Sequence, residues 1–333
     1  MQQARQIPEI HACWLASLLA IVAATILAPA LHAEARRIEL PNGDIYEGEI
    51  LDGMRTGSGT YVWADGHRYV GAFRNNRLHG SGVYYWLDGR TYTGEFVADE
   101  REGHGVLRWP NGDSYTGEFR DNRMQGHGIF VWQNADRYEG DFVDGRRTGN
   151  GDFLWKSGER YRGGFVDGLL QGAGVFEWPD GRQFEGRFSG GDKTGRGLFI
   201  WPNGNRYEGE FANDARAGLG VFFWRDGTVY RGQFGNDKMH GYGVKEQPDG
   251  AQELQRWQRG ALQFSKPLVP AEYCALTIDE REWMFESDEC VNGLAHGSGI
   301  AASLDGEQII VEGRFVLGRM VAGSFEQLRL REG

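Results

Sequence analysis

Apolar and polar side chains alternate in short runs that return at a constant interval along most of the chain. The run "YTGEF", from Tyr92 to Phe96, places Tyr, Gly and Phe at every second position and places Thr and Glu between them. Because successive side chains of a strand point to opposite faces, this alternation predicts a half-buried antiparallel strand. A second run, "GVLRW" from Gly105 to Trp109, predicts a second strand with its Trp on the same apolar face.

The two runs form a unit of 23 residues that occurs nine times without an insertion. We number positions within a unit as offsets from its opening aromatic residue, which is offset 0. A G-x-G pair follows at offsets 11 and 13, and a Trp stands at offset 17 in eight of the nine units. A fixed period of this size is typical of a repeat architecture, and one elongated array therefore fills most of the chain. The units open at Tyr46, Tyr69, Tyr92, Tyr115, Tyr138, Tyr161, Phe184, Tyr207 and Tyr230.

The connections between the predicted strands carry turn residues. After the Trp, most units continue with x-Asp-Gly or x-Asn-Gly, which predicts a type I′ hairpin turn between units. The link inside a unit, such as "VADEREG" from Val97 to Gly103, is expected to be longer and to end in a bulge. The glycines within the strands share a face with aromatic residues, and we interpret them as gaps that neighbouring rings cover.

The motif Y-x-G-x-F, the G-x-G pair and the D/N-G before the next unit resemble the MORN repeat (membrane occupation and recognition nexus). The resemblance covers residues 43–250. It implies an all-β fold, an elongated single-layer antiparallel sheet of tandem β-hairpins. The pattern decays in residues 251–333, which we expect to form a C-terminal cap with one or two degenerate units.

Residues 1–35 differ in composition from the rest of the chain. The uncharged segment Cys13–Leu31 follows Arg5 and is followed by small residues such as Ala33. This layout is typical of a secretory signal peptide, with a mature start near Glu34 or Arg36. The alternative is an uncleaved helix that anchors the chain in the inner membrane. Either interpretation predicts export, to the periplasm or the cell envelope.

The net charge of the chain limits the range of expected partners. The net charge is −11 and no basic stripe is visible, so nucleic acid is not an expected partner and electrostatic docking on anionic lipid is disfavoured.

Beyond the leader, the chain has two cysteines, Cys274 and Cys290. An even pair in an exported protein predicts a disulfide, and two unpaired thiols are the alternative.

We find no motif that predicts catalysis, a metal site or a cofactor. His104 and His127 share offset 12 in adjacent units and are expected to lie about 10 Å apart, too far for one metal ion. The glycine-rich stretch 190–197 lacks the G-K-[ST] ending of a phosphate loop. Acidic residues recur at offsets 1 and 3, as in Glu208 and Glu210, and we interpret them as a solvated face.

The sequence therefore predicts a non-enzymatic scaffold or protein-interaction module of the cell envelope. Its partner is expected to be another envelope protein or a second copy of the chain, and MORN-like self-association favours a homodimer. Membrane-lipid or glycan binding through the aromatic stripe is the alternative. Two interpretations of that stripe stay open, a docking surface or a core closed by sheet twist. The candidate partner-binding residues, all on the aromatic face of central units, are Tyr92, Phe96, Trp109, Tyr115, Phe119, Phe130, Trp132 and Tyr138.

Overall fold

A computed structural model describes residues 34–269, 274–286 and 290–328 of the chain. Within these ranges the chain forms strands and turns and no helix, which confirms the all-β prediction for the described part. The predicted signal peptide or anchor in residues 1–35 lies outside the described residues, except for Glu34 and Ala35.

Twenty-one strands form one antiparallel sheet in which each strand pairs with its neighbours in the chain. Each of the nine units contributes a seven-residue strand followed by a nine-residue strand. The strands are β1 (Glu34–Glu39), β2 (Ile45–Leu51), β3 (Met54–Val62), β4 (Arg68–Arg74), β5 (Arg77–Tyr85), β6 (Thr91–Val97), β7 (Glu100–Arg108), β8 (Ser114–Arg120), β9 (Arg123–Val131), β10 (Arg137–Val143), β11 (Arg146–Leu154), β12 (Arg160–Val166), β13 (Leu169–Glu177), β14 (Gln183–Ser189), β15 (Asp192–Ile200), β16 (Arg206–Ala212), β17 (Ala215–Phe223), β18 (Val229–Gly235), β19 (Lys238–Glu246), β20 (Gln252–Gln258) and β21 (Ala261–Pro267).

The predicted sheet of tandem hairpins is confirmed, with β2–β19 as the eighteen strands of the nine units. The sheet also extends beyond the units at both ends. Strand β1 pairs with β2, and β20 and β21 continue the sheet to Pro267. The sheet thus runs past residue 250, where the sequence pattern of the repeat ends.

The bulge expected at the closing glycine of the link inside a unit is confirmed at Gly103. The turn types differ from the prediction, because the type I′ turns lie inside the units. In the third unit, Ala98 and Asp99 both have positive φ (51° and 77°) and join Val97 directly to its partner Glu100. Between units, only the residue at offset 20 has positive φ, and it is glycine in every unit but the fourth, where it is Ala135. The Trp109 N–H donates to the Asp113 carbonyl at 3.0 Å, which closes a three-residue loop.

The side chain at the Asn of this loop explains the difference. Asn111 Oδ1 accepts a hydrogen bond from the Asp113 N–H at 3.0 Å, an Asx turn that holds the Asn in the right-handed region. Gly112, with φ of 98°, alone takes the left-handed conformation. An Asn-Gly or Asp-Gly pair is therefore compatible with either turn, and the predicted type I′ geometry between units is wrong.

Each unit contains a bulge, and in four units an acidic residue at offset 3 accepts a hydrogen bond from it. Gly103, at offset 11, has φ of 61° and lies at the register shift between β6 and β7. The Glu95 carboxylate reaches over Gly103 and accepts a hydrogen bond from the His104 N–H at 3.3 Å. Glu49 and Ser58 repeat the contact at 2.8 Å. These acidic residues are thus not only a solvated face.

The C-terminal region forms a second, smaller sheet. Five of its strands pair in the order β22-β23-β26-β27-β28, while β24 and β25 form a two-residue hairpin. The strands are β22 (Leu276–Ile278), β23 (Arg281–Phe285), β24 (Cys290–Val291), β25 (Leu294–Ala295), β26 (Gly297–Ser303), β27 (Gln308–Val316) and β28 (Arg319–Gln327). We call this region the cap.

The cap packs on the reverse face of the array at its C-terminal end. Val244 in β19 and Leu254 in β20 are buried against Met284, Ala302 and Ile309 of the cap. The array is therefore a single layer along most of its length and a two-layer sandwich at this end.

A disulfide joins Cys274 and Cys290, as the sequence predicts, with their Cα atoms 5.4 Å apart. Cys274 is buried in a second cap core that contains Trp283 and Phe315. The disulfide thus fixes the segment before β22 to the β24 hairpin.

Candidate protein-interaction surface

The opening aromatic residues and the Phe residues at offset 4 form one continuous buried row, which we call the tyrosine row. Tyr92 packs edge-to-face on Phe96 of its own unit at 5.2 Å and on Phe119 of the next unit at 4.9 Å. A Cβ on Gly105 would lie 2.4 Å from the Tyr92 ring, so the ring occupies the space that the glycines leave. Because of this packing, Tyr92 is fully buried although the sheet is a single layer.

Burial shifts the titration of this row. Desolvation raises the pKa of Tyr69 and of Tyr138 to about 12 in each case. The Tyr138 hydroxyl donates to the Asp141 carbonyl at 3.1 Å. The row is therefore structural core. Its tyrosine hydroxyls donate to backbone carbonyls in the same way, except that of Tyr230, which has no hydrogen-bond partner in the described part of the chain.

A second row, which we call the tryptophan row, runs parallel to the first. Its Trp residues are half-buried, whereas Tyr61, Leu107, Phe153 and Phe222 of the same row are buried. The row consists of the residues at offsets 15 and 17, and successive rings lie 4.3–5.5 Å apart with interplanar angles of 32–57°. The rings are tilted relative to one another, and each covers part of its neighbour. The row contains Tyr61, Trp63, Tyr84, Trp86, Leu107, Trp109, Phe130, Trp132, Phe153, Trp155, Phe176, Trp178, Phe199, Trp201, Phe222 and Trp224.

The eight predicted partner-binding residues divide between these rows. Five belong to the tyrosine row and are buried, namely Tyr92, Phe96, Tyr115, Phe119 and Tyr138. Trp109, Phe130 and Trp132 belong to the tryptophan row and are half-buried. Of the predicted set, these three are exposed enough to contact a partner.

A groove lies between the tryptophan row and the turns inside the units. One of its cavities, of about 410 Å³, is lined by Trp63, Phe73, Leu78 and Tyr84, with Arg55 at one end. A second, of about 230 Å³, lies further along the array. Its lining includes Met124, Phe130, Trp132, Phe142 and Arg147.

The residue at offset 9 determines whether each section of the groove is basic or apolar. This position alternates between basic and apolar side chains along the first seven units. In order, the nine residues are Arg55, Leu78, Arg101, Met124, Arg147, Leu170, Lys193, Arg216 and Met239. The alternation is visible when the nine units are aligned, but the alternation of apolar and polar positions within a strand does not predict it.

The basic side chains at offset 9 lie over aromatic rings and reach the next unit. The Arg147 guanidinium carbon is 5.1 Å from the Phe153 ring centre and 5.4 Å from that of Trp132. Its Nη2 donates to the Gly168 carbonyl at 3.0 Å. Desolvation lowers the pKa of Arg101 and of Arg147. These cations are thus fixed across the groove.

The reverse face carries a shallower hollow of about 630 Å³ over β6–β9, lined in part by His104 and His127. His127 Nδ1 is 3.7 Å from Asp141 Oδ1, and its Nε2 is 3.9 Å from Glu139 Oε1. In the described residues, the one group of ligand atoms close enough for a cation is the acidic cluster Glu100, Glu102 and Asp121. That cluster lies at a turn.

The model of the MORN repeat family matches nine successive segments between residues 46 and 252. They are residues 46–68, 69–89, 92–114, 115–137, 138–160, 161–181, 184–206, 207–229 and 230–252. The chain belongs to the MORN repeat family. The matched segments coincide with the nine units, so the rows and the groove of this MORN protein are built from the repeat itself. Among curated proteins, none matches the chain.

Several solved structures are similar to this MORN protein at low identity. The TCP10c domain of Drosophila melanogaster Sas-4 is 16% identical, with 46% of this chain and 91% of that chain covered and a TM-score of 0.29. The Danio rerio CPAP TCP10 domain, in complex with a STIL peptide, is 14% identical, with 70% and 99% covered and a TM-score of 0.29. These values carry no argument about function. In the described part of the chain, no helix is long and apolar enough to span a bilayer.

Proposed function

We propose that this MORN protein is a non-enzymatic scaffold of the cell envelope that binds another protein through the groove and the tryptophan row. The observation that carries the proposal is that the Trp residues of this row stay half-buried while the tyrosine row beside it is buried. The family supports a repeat-based interaction module. The envelope location rests on the export signal that the sequence predicts.

The packing of the tryptophan row favours a protein partner over a glycan. Sugars stack on an exposed ring face, whereas Phe153 is buried and its ring centre lies 4.3 Å from that of Trp155. Protein interfaces make use of half-buried aromatic residues and arginines at their centres. The groove offers both, because Arg147 lies over Trp132.

Site-specific photocrosslinking in intact cells tests the proposal. A photoreactive amino acid replaces Trp132 in the tryptophan row, and a matched variant carries it at Leu154, which is exposed on the reverse face. We expect a defined protein adduct in the envelope fraction from the Trp132 position and none from Leu154. Adducts to lipid or glycan alone would support the alternative, and equal adducts from both positions would contradict the proposal.

A further inference from the structure

Three arginines of the groove have no anionic partner within the described part of the chain. Arg55, Arg101 and Arg147 have no carboxylate oxygen within 4.0 Å. In contrast, Lys193 contacts Asp214 at 2.7 Å and Arg216 contacts Asp237 at 3.3 Å. In a chain with a net charge of −11, three half-buried cations therefore remain unneutralised on one face. We call them the groove arginines.

The groove arginines are held in place with donors to spare. Arg55 Nη2 donates to the Asn76 carbonyl at 2.7 Å, and Arg101 Nη2 donates to the Asn122 carbonyl at 2.6 Å. Stacking on aromatic rings orients the guanidinium groups further, as in Arg55, whose Cζ is 4.5 Å from the Tyr61 ring centre. A guanidinium has five N–H donors, so each groove arginine can still bind a carboxylate.

Apolar sections separate these cations. Leu78 lies between Arg55 and Arg101 in the unit order, and Met124 lies between Arg101 and Arg147. Each apolar residue lines one of the two cavities, together with rings of the tryptophan row. Each cavity also contains one aspartate, Asp99 or Asp167, which pairs with Arg77 or Arg146 respectively. The groove thus presents cation, apolar section, cation, apolar section, cation.

The spacing of this pattern matches an extended polypeptide. Successive groove arginines are 46 residues apart, which is four strands of the sheet and about 19 Å. An extended left-handed chain has three residues per turn and advances about 3.1 Å per residue, so six residues span about 19 Å. Residues 0, 3 and 6 of such a segment point to the same side.

We infer that the groove binds an extended, acidic polypeptide segment with carboxylates six residues apart and an apolar side chain midway between them. This inference rests on the proposed function and specifies its partner. Carboxylates pair with Arg55, Arg101 and Arg147, and the apolar side chains enter the sections at Leu78 and Met124. The protein as a whole is anionic, but the groove arginines give it a local positive surface. That surface is complementary in charge to an acidic segment.

A designed peptide tests the inference on the full chain. The labelled probe reads E-S-S-L-S-S-E-S-S-L-S-S-E, and its binding is measured by fluorescence anisotropy. We expect the triple variant Arg55→Met, Arg101→Met and Arg147→Met to raise the Kd at least tenfold. Met occupies the same offset at Met124 and Met239, so the fold accepts it. Thermal unfolding monitored by circular dichroism confirms folding.

A matched variant separates the groove arginines from positive charge in general. In Lys193→Met with Arg216→Met, the lost cations are ones that acidic residues of the chain already neutralise. We therefore expect its Kd to stay within about twofold of the wild-type value. The triple variant Arg→Lys at the groove arginines should retain most of the binding, since Lys193 occupies this offset in the seventh unit.

The peptide is varied in the same way. A probe with Gln for Glu, and one with Glu five residues apart, should both bind at least tenfold more weakly. The inference is overturned if the probe does not bind, if these peptides bind equally, or if the Arg→Met triple variant keeps the wild-type Kd. Arginine-dependent binding of phosphatidylglycerol vesicles without peptide binding would also overturn it, in favour of a membrane surface.

The two proposals fail in different experiments. A protein adduct at Trp132 combined with no probe binding would reject the acidic segment and keep the scaffold. Probe binding with the expected arginine dependence but no protein adduct at Trp132 in cells would reject the scaffold and keep the peptide specificity of the groove.

Discussion

The ring of Tyr115 lies against Gly128 on the neighbouring strand, so closely that a Cβ there would fall 2.4 Å from the ring carbon Cε2. The ring has no room to withdraw, because its hydroxyl donates to the Glu118 carbonyl at 3.0 Å. Phe119 and Phe142 pack on it edge-to-face at 5.2 Å and 5.0 Å. The tyrosine ring therefore needs a glycine at this position of the neighbouring strand.

We expect Gly128→Ala to lower the free energy of unfolding by about 2–3 kcal/mol through overpacking. Gly235→Ala is the matched control, because a Cβ at Gly235 meets nothing closer than 3.6 Å and the equivalent residue in other units is often Val. Urea denaturation followed by circular dichroism measures both. Equal effects of the two substitutions would contradict the role of the ring.

Substitutions in the tyrosine row should lower the stability of the fold rather than act directly on partner binding. Tyr115→Ser with Tyr138→Ser removes two fully buried rings, and each loss should cost about 3–5 kcal/mol, by analogy with truncations of buried aromatic residues. Tyr→Phe at the same positions should cost only about 1 kcal/mol each, the value of one hydrogen bond. Phe184 at the equivalent position shows that the array accepts Phe. Denaturant unfolding of both variants measures these losses. A Ser variant that keeps the wild-type free energy of unfolding would contradict the structural role of the buried rings.

Stability should fall at alkaline pH. Burial raises the pKa of Tyr69, Tyr92, Tyr138 and Tyr161 to about 12, against 10.0 for an exposed tyrosine. Between pH 10 and pH 12 the unfolded chain loses these protons while the folded chain keeps them, so unfolding becomes more favourable. Absorbance at 295 nm and circular dichroism should change together in this range. Tyr→Phe variants should weaken the pH dependence, and tyrosine ionisation without unfolding would contradict it.

Much of the array is predictable because each decisive contact recurs in every unit. Tyr92 with Gly94 and Phe96 establishes the apolar face of one strand, and Trp109 does so for the next. The turn types were not predictable from Asp-Gly or Asn-Gly alone, since the Asn111 side chain selects between two turns that share a left-handed glycine.

The surface was only partly predictable for a different reason. The period alone does not show that Tyr115 is closed off while Trp132 is half-buried, because that depends on how rings of successive units overlap. The packing of the cap was not predictable either. It depends on contacts between Val244 and residues such as Ile309, which lie far apart in the sequence and share no motif.

The disulfide should stabilise the cap selectively. Its two cysteines are 16 residues apart, and a loop of this length is worth about 3 kcal/mol in the chain-entropy model. Cys274→Ser with Cys290→Ser should therefore speed hydrogen exchange in β23 and β26–β28. Strands β6–β9, which are remote from the cap, serve as the internal control. Equal acceleration in β6–β9 would mean that cap and array unfold as one unit.

The mature N-terminus should be Glu34 rather than Arg36. Glu34 and Ala35 pair with Ile50 and Glu49 in β2, so cleavage after Ala35 would remove the first two residues of β1. N-terminal sequencing of protein extracted from the envelope measures the cleavage site. Recovery of an intact Met1 in a carbonate-resistant membrane fraction would instead identify an uncleaved anchor.

The links between units have a consequence for how such a molecule can change its length. Side chains join most units to the next across 21 residues, as Arg123 does with Asp144 and Arg146 with Asp167. Duplication of one unit would repeat these links and lengthen the molecule by two strands, about 10 Å, without disturbing the others. A single duplication would reverse the alternation at offset 9 beyond that point, whereas a double one would preserve it. The smallest duplication that lengthens the array and preserves this alternation is therefore two units, or 46 residues.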